Sequence, residues 1–222
     1  MKTENMNMEM TIKELYTIFN KLNETFYNNE LPEPQIVVTE TAKKGAFGWF
    51  TPYSAWSTED KKIEKFEIAL SAEYMTRKDM KLEEEGGMID VIRTLHHEMI
   101  HLFCHINDIK DTSRQGRYHN KNFKKACEDH GFIFKDEAPD STIGWSRAYL
   151  SDQTKAVINS WNSNEDAFKL ARVGGTFTKQ TKEKKPSSTV SYMCPKCEEK
   201  LRAKREMNIM CGDCDEQFEE QE

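Results

Sequence analysis

The stretch Leu95–His105 reads LHHEMIHLFCH and holds four of the chain's six histidines. Apolar residues recur through and before it at Met88, Val91, Ile92, Leu95, Met99, Leu102 and Phe103, the spacing of one helix face. On such a helix His97 and His101 lie one turn apart on the same side, with Glu98 beside the first. This HExxH pattern supplies two metal ligands and requires a third from elsewhere in the chain. It therefore constrains the fold more than any other feature, because a later segment has to return against this helix.

The other histidines divide by geometry. His96 projects about 100° away from His97 and is expected to pack inside or face solvent. His105 lies one further turn along, where the stripe has drifted around the helix, and is expected simply to end it. After it, residues 107–118 (NDIKDTSRQGRY) read as a polar loop, and a further helix is expected over roughly 120–129, ending at Gly131. A loop of that length brings His119 back beside the first helix, so His119 is the expected third ligand. His130 is expected to cap helix carbonyls. Three protein ligands leave one corner of a zinc ion open for water, whose pKa falls toward about 7. Glu98 is placed to take its proton for attack on a carbonyl, most naturally that of a peptide bond.

The run HHEMIHLFCHINDIKDTSRQGRYHNKNFKKACEDHG resembles the core of SprT-like zinc metalloproteases, a family that includes bacterial SprT proteins and eukaryotic Spartan proteases. ELYTIFNKLNETFYNNELPEPQIVV is similar to that family's opening helix and first strand. The resemblance implies a compact α+β metalloprotease domain in which His97, Glu98, His101 and His119, with the aromatic Phe123, form the site. It also implies, for some members, cleavage of proteins crosslinked to DNA. Residues 143–162 match nothing in that pattern.

The elements around the site agree with an α+β fold. Residues 11–28 carry Ile12, Leu15, Ile18, Phe19, Leu22 and Phe26 at helical spacing, and LPEP at 31–34 stops that helix. QIVVT (35–39), the stretch after Gly45, and Phe66, Ile68 and Leu70 read as three strands, expected to form a small antiparallel sheet packed on helices. Trp49, Phe50, Tyr53 and Trp56 are expected in the sheet core, with stacking on exposed nucleic-acid bases as the alternative.

The C-terminal thirty residues change character. Cys194, Cys197, Cys211 and Cys214 form two CxxC knuckles either side of a hairpin-sized run, the pattern of a structural zinc ribbon. Several SprT-like proteins end in a similar ribbon. Cys104 and Cys127 are expected to be buried apolar residues. Paired CxxC spacing suits metal in a reducing compartment, and no apolar run of about twenty residues or secretory signal is apparent, so the expected setting is cytoplasmic with no membrane contact. The expected organisation is a metalloprotease domain over 1–150, a helical extension and basic linker over 151–190, and a ribbon over 191–222.

Charge bears on partners. A net charge of −6 gives no global reason for nucleic-acid binding. Residues 171–205, however, hold ten basic and three acidic side chains. Lys182, Lys184, Lys185, Arg202, Lys204 and Arg205 are candidate phosphate contacts of a non-specific kind. A second basic group, Lys110, Arg114, Arg117, Lys121, Lys124 and Lys125, lies beside the expected active site. The reading that follows is a zinc metalloendopeptidase acting on DNA-bound or DNA-crosslinked proteins. Its alternatives are a DNA-binding adaptor with an idle metal site and a peptidase unconnected with DNA.

Overall fold

The computed structural model describes residues 7–40, 46–76, 87–172 and 189–221. The chain divides into two units, Met1–Val173 and Gly174–Glu222.

The first unit opens with helix α1 (Met8–Tyr27). The Asn7 side chain accepts from the Met10 amide at 3.0 Å and so satisfies one free donor at the N-terminus. The helix buries Leu15, Ile18, Phe19 and Leu22 completely. It ends where Asn28 turns left-handed (φ 53°), a conformation asparagine tolerates. Asn23 then clamps the departing chain, donating to the Leu31 carbonyl at 3.0 Å and accepting from its amide at 3.1 Å.

Strands β1 (Gln35–Thr39), β2 (Gly48–Ser57) and β3 (Glu64–Ser71) form one sheet in the order β1-β3-β2. The expected three strands are present, and β2 and β3 form an antiparallel hairpin. β1 differs from expectation: it pairs parallel to β3. Parallel neighbours need a crossover of a dozen or more residues, and here the segment that carries β2 provides it. Pairing of β2 with β3 slips between Thr51 and Trp56, and beyond that point the hairpin leaves the core. Phe50 packs on the core, but Tyr53 and Trp56 are 65% and 47% exposed. For those two the expectation of a core position was wrong; Trp56 instead donates its indole N–H to Glu67 at 2.8 Å.

Helix α2 (Met88–Ile106) runs through the centre of the unit and contacts α1, β2, β3 and the later helix α3 (Lys121–Asp129). Ile92, Leu95, Met99, Ile100 and Leu102 are wholly buried on it. The sequence pattern is helical from about Glu83, and that start lies outside the described residues. After α2, a short ribbon of β4 (Thr112–Ser113) and β5 (Tyr118–His119) precedes α3. A second short ribbon pairs β6 (Phe132–Ile133) with β7 (Tyr149–Leu150), and helix α4 (Asp152–Ser160) follows. Residues 151–172 belong to the first unit's packing rather than to a separate extension. Ile158, Ala167 and Phe168 join the same core cluster, and the Thr11 hydroxyl donates to the Ala167 carbonyl at 2.6 Å.

The second unit is a sheet of β8 (Thr189–Met193), β9 (Lys200–Lys204) and β10 (Glu219–Gln221) in the order β10-β8-β9. Its core is small: Val190, Tyr192, Cys194, Cys211 and Phe218. Among the described residues no helix is long and apolar enough to cross a membrane.

Candidate metal and active site

Two clusters among the described residues could hold a metal ion: His97, His101 and His119, and the four cysteines of the tail. In the first, α2 presents two imidazoles one turn apart and β5 ends on the third. His119 Nε2 lies 3.3 Å from His97 Nε2 and 3.2 Å from His101 Nε2. Nitrogens bound at zinc's usual bond length on a tetrahedron stand about 3.3 Å apart, so the spacing suits a shared ion. Phe123, fully buried on α3, packs against all three rings, with centroids 4.4–4.9 Å away.

The protonation states favour ligation. Burial first, and then neighbouring His101 and His119, hold His97 well below the usual imidazole range. Burial and His101 bring His119 down to about 4. Both rings are thus neutral at ordinary pH and offer lone pairs, as a metal requires. Glu98, next to His97, is buried, and that burial raises its carboxyl to about 7 despite the opposing pull of His101 and of the Phe50 backbone amide on β2.

In the tail, all four Sγ atoms lie within 4.8 Å of one another, with Cys197 and Cys211 at 3.7 Å. Thiolates on a tetrahedral zinc stand about 3.8 Å apart. The two knuckles share one geometry. Cys194 N donates to Glu199 O at 3.0 Å and Cys211 N to Glu216 O at 2.8 Å. In each, the residue after the second cysteine turns left-handed, Glu198 at φ 61° and Asp215 at φ 53°. Hydrogen bonds led by the Cys197 amide lower Cys194 to about 7, which favours its thiolate.

A sequence profile of the SprT-like family matches residues 15–144, more than half of the chain. The chain belongs to the SprT-like family. No curated protein matches it. The matched span of this SprT-like chain contains His97, Glu98, His101, His119 and Phe123, and the cysteine cluster lies beyond it.

Three parts of the SprT-like site were not foreseen. Asp111 Oδ2 sits 2.5 Å from His101 Nδ1. Burial works to raise the Asp111 carboxyl, but the hydrogen bond and charge of His101 prevail and hold it below its usual value. The Ile143 carbonyl, 3.3 Å away, accepts from His119 Nδ1. Phe50 supplies the amide that meets Glu98. The one sequence signal for any of these is Gly144: it has φ +65°, and a Cβ there would stand 2.1 Å from the His119 carbonyl oxygen. Only glycine lets the 140–145 turn close on His119.

The remaining candidates fall outside the site. His96 is fully buried among Phe26, Tyr27 and Phe132. His105 packs on Phe50 and Phe66, and His130 caps α3 by donating to Ala126 O at 2.7 Å. Cys104 and Cys127 are free and buried. On β9, Leu201 and Ala203 turn inward while Lys200, Arg202 and Lys204 are exposed. Arg205 is also exposed and pairs with Glu220 at 3.3 Å. Lys182, Lys184 and Lys185 lie outside the described residues.

Proposed function

We propose that this chain is a zinc-dependent metalloendopeptidase that cuts proteins bound or crosslinked to DNA. The observation that carries the reading is the convergence of three imidazoles beside one buried carboxyl at the core of a SprT-like fold. His97, His101 and His119 would hold the catalytic zinc, and Cys194, Cys197, Cys211 and Cys214 a structural one. Bound at the imidazoles, zinc supplies Lewis acidity that brings a water's pKa down toward about 7. Glu98 would take a proton from the attacking water as its oxygen adds to the scissile carbonyl, and would return it to the amide nitrogen as the C–N bond breaks. Burial raises the carboxyl to about 7, which suits both transfers. Each imidazole keeps part of its surface exposed, through which an incoming chain can reach the site.

Support for DNA comes from the exposed cations along β9, Lys200, Arg202 and Lys204, and from the basic stretch 182–185 that precedes the ribbon in sequence. Such contacts neutralise phosphates without reading bases. A cytoplasmic setting goes with this reading, since the six free cysteines suit a reducing compartment.

The test is proteolysis of a DNA-binding protein by the zinc-loaded chain, with and without DNA. Glu98→Gln is expected to keep both zincs and lose roughly 10²–10⁴-fold in rate, the usual share of a general base. Equal inertness of both proteins, with and without DNA, would favour an adaptor instead.

A further inference from the structure

We propose that Asp111 is a positioning residue for the three-histidine centre: its carboxylate fixes the tautomer and tilt of the His101 ring, so that Nε2 faces the metal. This rests on the metal-site reading above and adds a residue outside the ligand set.

A neutral imidazole carries one proton on either of two nitrogens, and a ligand nitrogen has to be the bare one. An ionised carboxylate only accepts. Asp111 Oδ2, 2.5 Å from His101 Nδ1, therefore keeps the proton on Nδ1 and leaves the Nε2 lone pair facing His119. Both side chains are shielded, at 15% and 16% exposure for His101 and Asp111, so water competes poorly for this bond.

Asp111 is itself held firmly. Past the end of α2, Asp108 turns left-handed (φ 53°) and Ile109 N donates to Cys104 O at 2.8 Å, which reverses the chain beside the last helical turns. Asn120 then locks the returning strand. Its amide donates to Asp111 O at 2.9 Å, its side-chain nitrogen donates to Lys110 O at 2.7 Å, and its side-chain oxygen caps α3 at Asn122 N and Phe123 N. The next residue, Thr112, pairs with His119. One ribbon thus carries the third ligand and the group that orients the second. His119 has only a neutral carbonyl, that of Ile143, in the corresponding role.

The test uses the full chain loaded with cobalt(II). Thiolate ligation adds a near-ultraviolet charge-transfer band that imidazole ligation lacks, so each site's occupancy is read in one sample during a chelator titration. Asp111→Ala is expected to weaken the histidine site by 10–100-fold and leave the cysteine site unchanged. Asp111→Asn, which still presents an accepting oxygen, should recover part of that loss. Nitrogen NMR of the His101 ring should show the Nδ1–H form in the wild type and its loss in Asp111→Ala. Wild-type affinity in Asp111→Ala, an equal loss at both sites, or no recovery in Asp111→Asn overturns the proposal. Cobalt bound by the wild type at the thiolates alone would instead sink the metal-site reading beneath it.

Discussion

The two clusters solve the same problem, gathering ligands at one point, by opposite means. The histidine cluster stands on α2, which runs through a large core built from α1, the sheet, α3 and residues 151–168. Its rings are placed by packing on Phe123 and by hydrogen bonds to Asp111 and Ile143. The cysteine cluster has almost no scaffold, since two of the five residues in its core are themselves cysteines. On the proposed reading, the difference follows from what each ion would do. An open coordination corner needs walls that stand without the metal, whereas a filled sphere of four thiolates is itself the wall.

The largest expected effect breaks the comparison most directly. Cys211→Ser should unfold residues 189–221, because metal binding there is folding energy, on the order of 10 kcal/mol in small zinc modules. Limited proteolysis would remove the tail and leave a resistant fragment ending near residue 172. His119→Ala should empty the histidine site and leave that fragment just as resistant. If His119→Ala exposed the first unit to protease as Cys211→Ser exposes the second, the contrast would be false.

Next in size is Phe123→Ala. Phe123 is fully buried beneath all three rings, and its truncation should cost about 3–5 kcal/mol. Denaturant unfolding followed on the first unit would show this loss, and it should persist after chelation. A loss that vanished once metal was stripped would mean that the imidazole floor depends on the ion, as the ribbon does.

The same contrast explains what the sequence disclosed. The clustering within HExxH and within each CxxC was legible because those side chains are neighbours on one turn or one knuckle, so spacing alone sets geometry. His119 was legible through loop length. Asp111, the Phe50 amide and the Ile143 carbonyl were not, because each reaches the site by tertiary packing and two of them are backbone atoms that no residue type announces. The parallel pairing of β1 was hidden for a related reason: strand propensity says nothing about which neighbour a strand takes. Residues 152–168 looked separable because α4 turns only Thr154 and Ile158 fully inward, too few for a clear period. Tyr53 and Trp56 have the composition of core residues, but Tyr53 sits within, and Trp56 just past, the slip where β2 and β3 leave the core.

The smallest effect lies inside the first unit and turns on pH. His96 is fully buried, and neither ring nitrogen has a hydrogen-bond partner among the described residues. Burial, and then the nearby His130, lower its pKa to about 3. In the unfolded chain it titrates near 6.5. Between those values the unfolded state takes up a proton that the folded state refuses, so stability falls as pH drops from 6.5 toward 3 and is complete above 6.5. At pH 5.5 the loss amounts to about 1.4 kcal/mol. Leucine has a similar volume and no proton to gain. His96→Leu should therefore sit within about 1 kcal/mol of wild type at pH 7.5, lost ring contacts offsetting the removal of two unpaired nitrogens. By pH 5.5 the balance should move in its favour by about that 1.4 kcal/mol. Taking the difference between the two proteins cancels the protonation of the ligands, which is common to both. The second unit holds no histidine, so its acid release of metal should be the same in each. A difference that stays flat from pH 7.5 to 5.5 would show that His96 is hydrated in solution, and that the core supporting the first site is wetter than its packing implies.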